Sequence, residues 1–303
     1  MSQAGTVTGK PVYRGMDQAG LDAAYNNTAA VVDSGVRLAL WSERSAIVRA
    51  EAKSRLDLVY GPRPRNRIDY FPTDGRGGPL FVFLHGGYWQ RNSKEMFAFL
   101  SDGPRAYGIN VAVIGYTLAP EARLSEIVKE VRQALDFLSE NASNLEFDRG
   151  GIFVGGWSAG AHLAAVVSDH PSVRGGLAIS GIFDLEPIAL SYINEQLRLD
   201  AKEIGTLSPL RNVSIRHSPL QLFVGASELP ELRRQSAVYA EMAKKQGLPV
   251  ALTELPSHNH FSILDELSGR GGLLARELAR LVENGRGPGG FPPSPLTQSS
   301  AGL

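Results

Sequence analysis

Gly151-Ile152-Phe153-Val154 leads through Gly155 into Gly156-Trp157-Ser158-Ala159-Gly160, and Ala161-His162-Leu163-Ala164-Ala165-Val166-Val167 follows directly. An apolar run of strand character, a Gly-x-Ser-x-Gly turn and a helical stretch, in that order, are the setting of a nucleophile elbow. A tight strand-to-helix turn presents the Ser158 hydroxyl, and glycines on both flanks let the backbone pass close to its neighbours. The turn also aims the first amide N–H groups of the helix at a reacting oxygen. Five-residue matches to this pattern arise by chance, so it is the strand-then-helix setting that makes Ser158 a candidate nucleophile.

Outward from the elbow, short β-like runs alternate with helical ones from Ile68 onward, the pattern of a mostly parallel sheet covered by helices. The strands read as Ile68 to Phe71, Pro79 to Leu84, Asn110 to Tyr116, Gly151 to Gly155, Gly175 to Ser180, Leu220 to Val224 and Val250 to Leu255. Several are continuous apolar runs, as strands buried on both faces require. Leu124, Ile127, Val128, Val131, Leu135 and Leu138 fall at helical spacing, and a last helix spans Leu273 to Val282. Residues 17–56 read as a mainly helical N-terminal segment, and 186–207 as a helical insertion positioned to roof a pocket at the carboxyl edge of the sheet. The expected organisation is a single α/β domain over residues 1–284. Residues 285–303, with Gly-Pro-Gly-Gly and Pro-Pro-Ser-Pro, read as a disordered tail.

Composition narrows the chemistry. With 303 residues, 43% of them hydrophobic, the chain can bury one large core. Thirty-one basic residues balance thirty-one acidic ones, which removes a general electrostatic reason to bind nucleic acid or an anionic membrane. The expected partner is a small neutral or weakly charged substrate, and a homodimer is compatible with the sequence. There is no cysteine, so disulfides, thiolate metal sites and cysteine nucleophiles are excluded. Without an apolar leader run or an apolar stretch near eighteen residues, the expected compartment is the cytoplasm.

Ser158 needs oxyanion donors, a base and a group to orient that base. Leu84-His85-Gly86-Gly87-Tyr88-Trp89 leaves a strand with two adjacent glycines, whose amides, with that of Ala159, suit an oxyanion hole. For the base, Ser257-His258-Asn259-His260-Phe261 follows the last strand, and spacing alone leaves His260 and His258 both open. His162 reads as packing against the sheet; His170 and His217 read as loop residues. The His-x-His pair lacks carboxylates at a metal-motif spacing, so neither a metal nor a cofactor is expected. For the acid, Phe223-Val224-Gly225-Ala226-Ser227-Glu228 ends a strand in a carboxylate between Ser158 and the histidines, with Glu231 and Asp184 as alternatives. Tyr88, Trp89, Trp157, Tyr116 and Phe183 fall at or near strand ends and are expected to form an aromatic wall for substrate.

These motifs resemble the kynurenine formamidase (arylformamidase) branch of the α/β-hydrolase superfamily, related to the hormone-sensitive-lipase-like esterases. His85-Gly86-Gly87-Tyr88-Trp89 is similar to that branch's oxyanion loop. Tyr25-Asn26, Tyr60-Gly61, Ser158-Ala159-Gly160-Ala161-His162-Leu163 and Arg234-Gln235-Ser236 also resemble its pattern, so the likeness covers most of the chain. The resemblance implies an α/β-hydrolase fold, His260 as the catalytic histidine and Glu228 at the acid position. It also implies hydrolysis of an aryl amide or formamide such as N-formylkynurenine through a Ser-His-Glu triad and an acyl-enzyme. The alternative is a broad carboxylesterase acting on short-acyl or aryl esters; a non-catalytic binding protein of the same fold is disfavoured because all three triad positions are filled. Two positions depart from the pattern: Glu228 stands where aspartate is common, and Trp157 stands where histidine usually precedes the nucleophile.

Overall fold

A computed structural model describes residues 9–213 and 218–285. Its centre is one eight-stranded sheet formed by β1 (Arg55–Val59), β2 (Arg67–Phe71), β3 (Gly78–Leu84), β4 (Asn110–Ile114), β5 (Phe147–Trp157), β6 (Val173–Ile179), β7 (Leu220–Gly225) and β8 (Ala251–Leu255), in the order β1-β2-β4-β3-β5-β6-β7-β8. β2 is antiparallel to both β1 and β4, and all other neighbours are parallel. This is the α/β-hydrolase arrangement, with the elbow serine at the end of the long central β5.

The apolar runs are continuous because both faces of the sheet are covered. Along β3, Leu80, Val82 and Leu84 enter one core, while Phe81 and Phe83 enter the other. The first core takes Ile127, Val131 and Leu135 from the helix Leu124–Glu140 and Leu163 from the helix Ala159–Val166. The second takes Trp41 and Val48 from Ser34–Arg49, and Leu274, Leu278 and Val282 from Leu273–Gly285. The helix Leu124–Glu140 thus shows the sheet an apolar stripe at the spacing read from the sequence, whereas Ala159–Val166 is buried along nearly its whole length.

Two local differences have physical reasons. The segment expected to be helical to Leu56 breaks at Arg49, and Arg55–Val59 forms an edge strand. Its alternating exposure, with Arg55, Asp57 and Val59 outward, gives only a weak apolar signal over five residues. The insertion resolves into three short helices, Glu186–Leu190, Asn194–Leu197 and Ala201–Leu207. Arg123 and Ser125 fix the last of these to the start of Leu124–Glu140 through the buried Glu203 carboxylate. His217 and the expected tail lie outside the described residues, apart from Gly285, which ends the last helix. No helix among the described residues is long and apolar enough to cross a membrane.

Candidate active site

Ser158 stands between β5 and the helix Ala159–Val166 with φ 58° and ψ −119°, a conformation that non-glycine residues rarely adopt. Its amide donates to Ile179 O at 2.8 Å, which pins the turn to the neighbouring strand. The turn is tight enough that a Cβ on Gly160 would stand 1.9 Å from Leu84 O, so the second glycine of the motif is a steric requirement. On the facing loop, a Cβ on Gly86 would meet Trp157 O at 2.7 Å and the Ser158 Cβ at 3.1 Å. The glycine loop after β3 therefore lies directly against the nucleophile turn. Among the described residues, the amides of Gly86, Gly87 and Ala159 donate no hydrogen bond to a carbonyl outside the regular helix and strand ladders.

His260 and Glu228 meet on loops after β8 and β7. His260 Nδ1 lies 2.7 Å from Glu228 Oε2, and both side chains are buried. The other carboxylate oxygen, Oε1, accepts from Ser180 Oγ at 2.5 Å and from Gly225 N at 2.7 Å, so the acid is held on both sides. Such an acid keeps the Nδ1–H tautomer and leaves Nε2 free to accept a proton. The two loops also join through Ser227 N and His258 O at 2.9 Å. Ser158 and His260 line the same pocket, with no direct hydrogen bond between them among the described residues.

The alternatives are engaged elsewhere. His258 places Nδ1 3.2 Å from Ser262 O and Nε2 3.4 Å from Glu266, which braces its own loop. Glu231 binds Arg234 and accepts from Tyr25 Oη at 3.2 Å. Asp184 lies 3.5 Å from both Arg211 and the Tyr13 hydroxyl.

A cavity of about 110 Å³ opens on Ser158 and His260. Tyr88 and Trp157, two of the expected aromatic residues, line it. Trp157 also supports His260: its Nε1 donates to His260 O at 2.7 Å and its ring lies 4.8 Å from the imidazole. Behind it, Trp41 meets Trp157 edge-on at 5.5 Å, and Phe261 closes the cluster at 5.5 Å from Trp157.

The other three expected aromatics do not line the cavity, and each is fully buried. Tyr116 stacks on the His85 ring at 4.3 Å and donates its hydroxyl to His85 O at 2.7 Å, which braces the glycine loop from beneath. Phe183 stacks on Tyr239 at 4.3 Å in a separate core cluster. Trp89 turns away from the site onto His162, 4.8 Å ring to ring. Proximity to a strand end does not fix the face to which a side chain turns, and core packing takes these three. His162 in turn bonds Leu207 O through Nε2 at 2.8 Å, tying the elbow helix to the insertion. Burial pushes both His85 and His162 down to about 4.

Sequence reasoning missed the rest of the lining. Asn27, Thr28 and Leu38 come from the N-terminal segment, Arg91 and Asn92 from the continuation of the glycine loop, and Tyr192 from the insertion. Asn27 donates to the Tyr88 hydroxyl at 3.0 Å, which itself donates to Tyr25 O at 2.5 Å, so the segment is fastened to the glycine loop. Gln235 Nε2 donates to the Tyr25 hydroxyl at 2.7 Å from the other side.

The chain is 30% identical over 249 residues to kynurenine formamidase from Danio rerio, covering 77% of this chain and 84% of that protein. Against kynurenine formamidase from Salmo salar it is 32% identical over 236 residues, 72% of this chain and 79% of the relative. The chain belongs to the kynurenine formamidase family. Residues 69–173 also match the BD-FAE family model. A kynurenine formamidase family member with an α/β-hydrolase fold is a hydrolase, and esterases are its structural neighbours. A crystal structure from Silicibacter sp., assigned as a thioesterase, superposes with a TM-score of 0.77 at 28% identity, covering 84% of this chain and 97% of that one. An esterase from Pyrobaculum calidifontis shares the fold with a TM-score of 0.67 at 20% identity, over 84% and 94% of the two chains.

Proposed function

We propose that this hydrolase cleaves aryl formamides or aryl amides of the N-formylkynurenine type through Ser158, His260 and Glu228. The observation that carries the reading is the 2.7 Å pairing of His260 Nδ1 with a fully satisfied buried carboxylate, beside a serine strained into the elbow conformation in the same pocket. His260 Nε2 takes the Ser158 proton as Oγ attacks the carbonyl carbon, and the Glu228 carboxylate stabilises the resulting imidazolium. The amides of Gly86, Gly87 and Ala159 hold the oxyanion, each donor contributing roughly a hundredfold to a thousandfold in rate. Collapse breaks the C–N bond, and the imidazolium delivers its proton to the departing aryl amine. Water, deprotonated by His260, then releases the acyl group, formate in the formamide case, and restores Ser158.

A cavity of about 110 Å³ faced by Tyr88, Trp157, Tyr192 and Phe261 suits a planar ring with a small acyl group. An engineered cavity that holds benzene is of similar size, roughly 150 Å³. Membership of the formamidase family supports the amide over the ester. The test is kcat/KM for N-formylkynurenine beside p-nitrophenyl acetate and an acyl anilide, with Ser158→Ala as the blank for each. A preference for formylkynurenine by orders of magnitude supports the formamidase reading. Faster turnover of the simple ester overturns it in favour of a broad carboxylesterase.

A further inference from the structure

Arg91 has the position and the unspent charge of a substrate anchor. Of the residues lining the cavity beside Ser158, it is the one that carries a permanent charge, and no Asp or Glu is among them. Its guanidinium is exposed and has no carboxylate within 4.0 Å among the described residues, and the remaining residues of the chain contain no Asp or Glu. Several other arginines around the site are committed: Arg234 to Glu231, Arg37 to Asp33 and Asp265, and Arg65 to the backbone of Tyr116 and Asn92.

The backbone that carries Arg91 is fixed. Its amide donates to Gly87 O at 3.0 Å. On one side Gln90 Nε2 donates to Ile193 O at 2.7 Å, and on the other Asn92 Nδ2 donates to Gly86 O at 3.1 Å. The residue is thus set rigidly off the same glycine loop that faces Ser158, across from Tyr192 of the insertion, whose phenol lies within its field. An arginine held this way, without an internal anion, matches a planar carboxylate on the ligand through paired N–H···O bonds.

We infer that Arg91 is the residue that binds the carboxylate on the leaving-group side of the substrate, and so sets the preference for carboxylate-bearing aryl formamides over simple anilides. This rests on the function proposed above. The overall neutrality of the chain concealed it, because the bias is local to one loop.

The experiment compares kcat/KM for the des-amino analogue of N-formylkynurenine, 4-(2-formamidophenyl)-4-oxobutanoate, and for its neutral methyl ester in wild type and Arg91→Gln, with Arg91→Lys as the charge-preserving control and melting temperature as the check on folding. Wild type is expected to prefer the free acid. Loss of a charge-assisted pair should lower the acid-to-ester ratio in Arg91→Gln by about ten- to a hundredfold, through KM, with Arg91→Lys restoring part of it. The wild-type preference should also weaken as salt is raised. An acid-to-ester ratio equal in wild type and Arg91→Gln overturns the inference. If wild type turns over aryl esters and no formamide, the formamide reading fails, and Arg91 is then decided by the same ratio for 3-acetoxybenzoate against phenyl acetate.

Discussion

Replacing Trp157 by phenylalanine should unseat the base without touching any atom of the proposed triad. The indole N–H is the donor to His260 O at 2.7 Å, and both partners are buried. Removing it strands a buried carbonyl, which costs about 1–3 kcal/mol. The smaller ring also loosens contacts with Trp41, Phe97, His260 and Phe261, at about 0.5–1.5 kcal/mol for each pair that is lost outright. Since a phenyl ring keeps part of that packing, the expected destabilisation is about 2–4 kcal/mol. The catalytic effect is of a different kind. A displaced imidazole no longer meets the Ser158 proton squarely, and a misplacement near 1 Å is enough for roughly a hundredfold loss in rate. Urea unfolding should therefore show a lower midpoint, and kcat should fall about ten- to a hundredfold, with KM rising as well because the smaller ring also leaves the cavity wall. Wild-type kcat in a Trp157→Phe protein shown to be folded would refute the view that the residue before the nucleophile positions the base.

Other outcomes follow from the same geometry. Glu228→Gln should lower kcat by about a thousandfold to ten-thousandfold, because the amide favours the wrong imidazole tautomer. Glu231→Gln, which loosens Arg234 and Tyr25, should act mainly on thermal stability; the reverse ranking would move the acid to Glu231. The pH dependence of stability is set in part by His85 and His162, buried neutral with values near 4 against an ordinary 6.5. Between those limits the unfolded chain holds protons that the folded chain refuses, so their stabilising effect is complete above about pH 6.5 and is lost as pH falls towards 4, with a slope of roughly 1.4 kcal/mol per pH unit for each group. Urea midpoints measured from pH 7 to 4.5 should drop, and flat midpoints would mean that neither histidine is held neutral by the fold.

The fold was legible because its strands are either fully apolar or sharply bounded. β3, β5 and β6 each run into a glycine turn or a helix, and their double-sided burial leaves few polar residues to blur the pattern. β1 was missed because it follows the helix Ser34–Arg49 with no glycine or proline to mark a boundary, whereas the equally exposed edge strand β8 is announced by Gly247 and Pro249. The serine turn and the glycine loop of the proposed site were legible as motifs, since both tolerate few alternatives in sequence. The pocket wall was not. Tyr116, Phe183 and Trp89 look the same in sequence as Tyr88 and Trp157, and only the rotation of each side chain about its loop separates a core position from a lining one. Tyr192 and Asn27 reach the cavity from segments far from the elbow, and periodicity carries no information about such long-range meetings.

The junction of Trp41, Trp157 and Phe261 gives the molecule a timing problem during its synthesis. Trp41 leaves the ribosome well before Trp157, and Trp157 well before Phe261, yet the three rings bury one another. Until the last of them emerges, two large indoles lack their final cover, and partly folded chains with exposed apolar surface are the ones that associate wrongly. A nascent chain stalled before His260 would hold the elbow turn and the glycine loop but no base and an open aromatic seam. Chaperone dependence should consequently concentrate in that late window, and chains truncated before residue 260 should accumulate as aggregates while the full chain stays dispersed.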